Sequence, residues 1–248
     1  VARPTLQIVP DADALARAAA KDFLATSLQA VRERDVFSVA LSGGSTPKRL
    51  YELLANPAES FFNSVPWEKT HFFWTDERHV PPDSPESNYR MVNEAMLSHV
   101  PTPPSNVYRV LSERSNAQDA AAEYEKTLRQ FFTNAPRFDL ELLGIGIEGH
   151  TASIFPGSEI ARENSLWVAS PWIEKLKSFR ITLTLPVLND ARSILFLVSG
   201  VEKAQILRTI LETKPDGNEP LPAQAIKPVN GKLKWLVDKA AAGGLNSN

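Results

Sequence analysis

The chain has 248 residues, 43% of them hydrophobic and 23% charged, the balance of a globular protein and not of a disordered or membrane-embedded one. With 27 basic against 29 acidic residues the formal charge is −2, without the basic excess of a general nucleic-acid or anionic-membrane binder. Cysteine is absent, which excludes disulfides, thiolate nucleophiles and zinc ribbons and fits a reducing compartment.

This length allows a single α/β domain over residues 1–248, with a tail at about 243–248 expected to fray. The opening Val1-Ala2-Arg3-Pro4 has no apolar signal core. The longest aliphatic runs, such as Ile194-Leu195-Phe196-Leu197-Val198, are strand-length and far short of a membrane span. A cytoplasmic location is expected, with no membrane and no nucleic-acid partner; the oligomeric state is not legible.

Taken in chain order, Leu6 to Val9 reads as a strand and Asp11 to about Arg34 as an Ala-rich amphipathic helix. Phe37 to Leu41 is a strand, Pro47 to Ala55 a helix, and His71 to Trp74 a strand. Tyr89 to Leu97 and Asn116 to Phe132 carry apolar residues three and four apart, the helical spacing. Phe138 to Leu143, Ile181 to Leu185 and Ile194 to Val198 are strands, Glu202 to Leu211 a helix, and Leu233 to Val237 a late strand. The Pro-bearing stretches from Val100 to Pro104 and from Lys214 to Pro228 read as surface connections. Strands alternating with helices predict βαβ crossovers, a mostly parallel sheet and helices on both faces. Ligands of such sheets bind beyond the carboxyl ends of the strands, so the loops that follow strands are where chemistry is to be sought.

Three such loops stand out. Ser42-Gly43-Gly44-Ser45-Thr46-Pro47 follows a strand, with Thr46 expected as helix N-cap and Pro47 at the first helical position. Free N–H groups and the helix dipole there favour a phosphate, although an ordinary capped strand-to-helix turn has the same composition. It is not a Walker loop. Thr75-Asp76-Glu77-Arg78-His79 places charge at a strand end, where Arg78 suits a phosphate; a surface acid–arginine cluster is the plainer alternative. Ser87 or Asn88 then caps the next helix.

The third loop, Gly144 to Gly157, contains a formal G-x-G-x-x-G. A dinucleotide site is rejected because Pro156 and Gly157 cut the following helix short and Leu166 to Ala169 ends without the acidic ribose ligand. What remains is Glu148-Gly149-His150, an acid–glycine–histidine tripeptide. There is no G-x-S-x-G elbow and no H-E-x-x-H helix, and His71, His79 and His99 lack metal-ligand spacing. No cofactor or metal is demanded. A water-activating base fits better than a covalent nucleophile.

Together the loops resemble those of the glucosamine-6-phosphate isomerase/6-phosphogluconolactonase family. The likeness rests on Ser42 to Pro47, on Asp76-Glu77-Arg78 with Ser87-Asn88, on Gly144-x-Gly146-x-x-Gly149-His150 through Pro156, and on the lysine-bearing turn Ser199 to Ala204. These stand in family order and span about Leu6 to Val237. One position departs: the family carries Asp two residues before the histidine, where this chain has Glu148. The resemblance implies a modified doubly wound (Rossmann-like) α/β fold and hydrolysis of the sugar-phosphate lactone 6-phosphogluconolactone to 6-phosphogluconate in the pentose phosphate pathway.

On that reading His150 is the base that activates water, and Glu148 orients it or stabilises its charged form. Gly43, Gly44, Ser45 and Thr46 with Arg78 and Lys203 grip the phosphate. Asp76, Glu77 and Asn88 line the site, and backbone N–H groups of the glycine-rich loop or Arg78 receive the oxyanion. Two alternatives stand beside it: a glucosamine-6-phosphate deaminase of the same family, and a non-catalytic sugar-phosphate sensor.

Overall fold

A computed structural model describes residues 4–215 and 219–246. Strand β1 (Thr5–Val9) leads into helix α1 (Ala12–Arg34), whose N-cap Asp11 accepts from the N–H groups of Asp13 and Ala14. Then follow β2 (Phe37–Leu41), α2 (Ser45–Leu54), α3 (Ser60–Ser64), β3 (Thr70–Trp74), β4 (Asp76–Arg78) and α4 (Asn88–Ala95). Helix α5 (Ala117–Phe131) is capped by Asn116 and precedes β5 (Leu140–Leu143), which starts two residues later than expected. The chain continues through β6 (Val168–Ala169), β7 (Trp172–Ile173), β8 (Ser178–Leu183), α6 (Leu185–Leu188), β9 (Ser193–Val198), α7 (Ala204–Glu212), β10 (Lys232–Asp238) and α8 (Lys239–Ala242).

Six strands form one sheet in the order β1-β10-β9-β5-β2-β3, every neighbouring pair parallel. Strand alternation sends Phe37, Val39 and Leu41 to one face, where Phe37 meets Phe23 of α1 edge-on at 5.2 Å. Phe73 points to the other face, against Phe131 of α5 and stacked on Tyr108 at 4.5 Å. Helices α1 and α5 therefore cover opposite faces, and the mostly parallel, two-sided α/β architecture expected from the sequence is present. From β2 the chain steps outward to β3 and then returns across β2 to β5. Loops leaving the carboxyl ends of β2 and β5 diverge there, and this switch point opens the crevice that ligands of such sheets occupy.

Three expectations need correction. Thr46 is not an N-cap: α2 begins two residues earlier than expected, at Ser45 in place of Pro47, with Gly44 as the cap at φ 108°, because a glycine turns the chain with less strain than a side-chain cap at this corner would allow. Asp76-Glu77-Arg78 is not a loop but strand β4, and the strand expected at Ile181 to Leu185 runs from Ser178 to Leu183 in a second sheet. That sheet is antiparallel, with β4 and β6 on either side of β8 and β7 pairing β8 as well. Thr75 joins the sheets, its N–H donating to Leu41 and its carbonyl accepting from Leu183.

Of the tail, Leu245 packs on the core and the Asn246 N–H donates to Glu212 at 2.7 Å, whereas residues 247–248 lie outside the described residues. So do residues 216–218 of the connection from Lys214 to Pro228. Among the described residues no helix is long and apolar enough to cross a membrane.

Candidate active site

Loops after β2, β5 and β9 and the strands β4 and β8 enclose a cavity of about 310 Å³, at the small end of the range usual for ligand sites. The β2 loop enters as Ser42-Gly43-Gly44. Tyr51 fixes its start by donating its hydroxyl to the Ser42 carbonyl at 2.8 Å. Gly43 has no room for a side chain, since a Cβ there would sit 1.9 Å from Asn88 Oδ1. Ser42 Oγ is buried at the cavity wall without a hydrogen-bond partner among the described residues. Ser45 and Thr46 do not line the cavity; they form the first turn of α2, where N–H groups have no intrahelical acceptor.

Antiparallel pairing sorts the acid–arginine cluster. Asp76, Glu77 and Arg78 stand opposite Thr182, Ile181 and Arg180. Alternation turns Asp76 and Arg78 to the cavity and Glu77 away from it. Asp76 Oδ2 accepts from Ser153 Oγ at 2.6 Å, and Arg78 spends one Nη on the Glu86 carbonyl at 2.6 Å. Glu77, expected in the site wall, is buried beneath the start of α4, where it accepts from the N–H groups of Arg78, Asn88 and Tyr89 and from Ser87 Oγ. Burial pushes its carboxyl above the usual range, offset in part by those bonds. Asn88 donates Nδ2 to the Asp76 carbonyl at 2.9 Å and lines the cavity.

Arg180 is the residue that sequence reasoning missed. It lines the cavity, is only 8% exposed, and has no carboxylate partner among the described residues; Nη1 donates to Ser178 Oγ and the Phe179 carbonyl. Desolvation and the facing Arg78 both lower its pKa. A buried, unneutralised guanidinium beside a second one is costly unless an anion joins them. The available signal was weak, a lone charged residue in the strand Ser178–Leu183.

The β5 loop is folded back on itself: the Gly146 N–H donates to the His150 carbonyl at 2.9 Å and the Gly149 N–H to the Gly146 carbonyl at 3.0 Å. These two N–H groups are consumed internally and are not offered to an oxyanion. The His150 ring packs against Gly146, where a Cβ would come within 2.1 Å of it, and stacks on Phe155 at 4.2 Å. Its Nδ1 is 3.3 Å from Glu148 Oε2, and Glu148 Oε1 is 3.4 Å from Lys175 Nζ. Burial lowers the His150 pKa below its ordinary value; Glu148 and Asp76 oppose this and Lys203 adds to it. Burial pushes Glu148 up, but its own backbone N–H, His150 and Lys175 bring it below the usual range.

At the fourth loop Asp238 takes Ser199 Oγ and the Gly200 N–H, holding a 3-10 turn, Val201–Lys203, that carries Lys203 to the cavity. Lys203 thus precedes α7 and does not stand in its first turn. The remaining histidines serve other contacts: His71 Nδ1 meets the Tyr108 hydroxyl, and His79 and His99 each place Nε2 against a backbone carbonyl. Among the described residues no group of three or more His, Cys, Asp or Glu is placed to hold a metal.

The model of the family described as glucosamine-6-phosphate isomerases/6-phosphogluconolactonase matches residues 10–235. A 6-phosphogluconolactonase of Nostoc is 38% identical over 98% of this chain and 99% of its own length. One from Synechocystis is 40% identical over 88% of both chains. The crystal structure of 6-phosphogluconolactonase from Thermotoga maritima superposes with a TM-score of 0.81 at 32% identity, covering 96% of this chain and all of its own.

Proposed function

The chain belongs to the glucosamine-6-phosphate isomerase/6-phosphogluconolactonase family, and from that premise we propose that it is a 6-phosphogluconolactonase, opening 6-phosphogluconolactone to 6-phosphogluconate in the pentose phosphate pathway. The carrying observation is one cavity that joins a desolvated histidine backed by a carboxylate to three cationic side chains, Arg78, Arg180 and Lys203.

The cations take the phosphate dianion, together with the N–H groups at the Gly43-Gly44-Ser45-Thr46 corner. Holding the phosphate places the distant lactone carbonyl against His150, so binding energy at one end becomes orientation at the other. His150 is neutral near pH 7, with Nδ1 toward Glu148 and Nε2 left to take a proton from the attacking water. As the tetrahedral adduct collapses, the imidazolium returns that proton to the ring oxygen and the C–O bond of the lactone breaks. Glu148 steadies the imidazolium. A cytoplasmic location, expected from the cysteine-free sequence, belongs to this proposal and is checked by cell fractionation.

The test is lactone hydrolysis, with substrate generated in place from glucose 6-phosphate and followed through 6-phosphogluconate dehydrogenase. Wild type should outrun the spontaneous reaction, and His150→Ala should lose about 10²–10⁴-fold in kcat with little change in KM. Arg180→Gln should raise KM for the phosphorylated lactone and leave an unphosphorylated lactone unaffected. Conversion at only the spontaneous rate, or ammonia release from glucosamine 6-phosphate, would overturn the assignment.

A further inference from the structure

A second cavity, of about 530 Å³, lies at the opposite end of the parallel sheet, among the amino ends of β1, β5, β9 and β10 and the last turns of α1. It is separated from the catalytic loops by the length of the strands, roughly 17–20 Å. Five cations line it: Arg34, Arg137, Arg192, Lys232 and Lys234. Three carboxylates line it too, and each is already engaged. Asp22 pairs with Lys234 at 2.6 Å, Glu33 with Arg34 at 2.5 Å, and Asp139 with Arg34 at 2.9 Å and Arg192 at 3.3 Å. A surplus of two positive charges remains in a chain whose net charge is −2, so composition does not account for it.

The arrangement is built and not merely crowded. Asp139 is buried and takes the N–H and hydroxyl of Ser38 on one oxygen, which frees the other to hold Arg34 and Arg192 on the cavity wall. Among the described residues the Nε–H groups of Arg34 and Arg137 are buried without an acceptor, and Arg137 is tied only through Nη2 to the Asn230 carbonyl. Neither Arg137 nor Lys232 meets a carboxylate among the described residues. Arg34 complements the α1 dipole, and Arg137, Arg192 and Lys232 stand before or at the start of strands. Leu140, Leu195 and Leu233 supply apolar wall between the charges.

We propose that this cavity is a second ligand site, separate from the catalytic one, for a small phosphorylated metabolite that carries two or more negative charges on an uncharged body. Guanidinium groups held in place by a buried carboxylate match phosphate oxygens, and the apolar wall and volume suit a body of nucleotide or sugar size. The site stands whether or not the catalytic assignment is right, because it shares no residue with that cavity.

The test is titration calorimetry at low ionic strength with inorganic pyrophosphate and, separately, ADP. Wild type, Arg137→Gln/Arg192→Gln, Lys232→Gln and the catalytic-cavity variant Arg78→Gln are compared. The double variant should weaken binding about tenfold or more and Lys232→Gln a few-fold, both with lactone kcat/KM unchanged, while Arg78→Gln leaves this binding intact. Tighter binding of ADP than of pyrophosphate assigns the apolar wall to a nucleotide body, and equal binding assigns recognition to the phosphates alone. Lys232 is exposed, so its variant reads the site even if the double variant fails to fold. Absence of binding to wild type, or binding that survives in both variants or is lost only in Arg78→Gln, overturns the proposal.

Discussion

His150 sits where the chain leaves no alternative. Its ring occupies the space that any side chain at residue 146 would fill, and Phe155 closes the other side. Gly146→Ala should therefore displace the imidazole and cut kcat by about 10²-fold or more, with KM and thermal stability nearly unchanged; steady-state kinetics beside a melting curve checks this. The pH profile follows from the same surroundings. A base works when neutral, so the rate falls as pH drops through the pKa of His150. Glu148 raises that pKa and Lys203 lowers it. Glu148→Gln should thus carry the acid limb of kcat to lower pH, whereas Lys203→Met should carry it to higher pH. Shifts of the same sign in both variants would remove His150 as the group titrating. The glycine-rich loop and the histidine were visible in the sequence because they follow a strand, where ligands of such sheets bind. The close contact between ring and Gly146 was not, since it depends on a turn that the spacing alone does not specify.

At the scale of elements, the short pairing of β4 with β8 decides which members of the charged cluster face the cavity. A run of Asp-Glu-Arg has no apolar alternation and reads as a loop; only the partner strand makes it a strand. Once paired, alternate residues part company, and Glu77 becomes the acceptor for the N-terminus of α4. Glu77→Ala should leave buried N–H groups unsatisfied and cost on the order of 3 kcal/mol, read by denaturant unfolding. The loss should also loosen Asn88 and through it Gly43, so KM should rise in the protein that remains folded. The same pairing explains why Arg180 escaped notice: its sequence neighbours are those of an ordinary strand, and its partner Arg78 lies about a hundred residues away in the chain.

Across the whole molecule, one group in the central sheet works against stability. Glu141 of β5 is fully buried and neither carboxyl oxygen has a partner among the described residues; burial and then Asp190 hold its pKa well above the usual range. Below the ordinary carboxyl pKa both folded and unfolded chains hold this proton and the group adds no pH dependence. As pH rises past that value the unfolded chain releases the proton while the folded chain keeps it, so stability is progressively lost. Glu141→Leu should raise the melting temperature, and by more at pH 8 than at pH 5. An equal gain at both pH values would show that packing, not protonation, is responsible.

By itself the sequence determined the alternation of strands and helices, the crossovers that follow from it, and the candidate loops, because these depend on periodicity and on residues with unusual backbone preferences, all of them local. Family membership was legible for the same reason, as motifs in a fixed order. Only the tertiary structure decided the strand order that opens the crevice, the second sheet, the inward turn of Glu77, the arrival of Arg180 opposite Arg78 and the cationic cavity at the far end of the sheet. Each of those joins residues distant in the chain, and burial and long-range pairing, which set their orientation and charge balance, leave no periodic trace in the residues themselves.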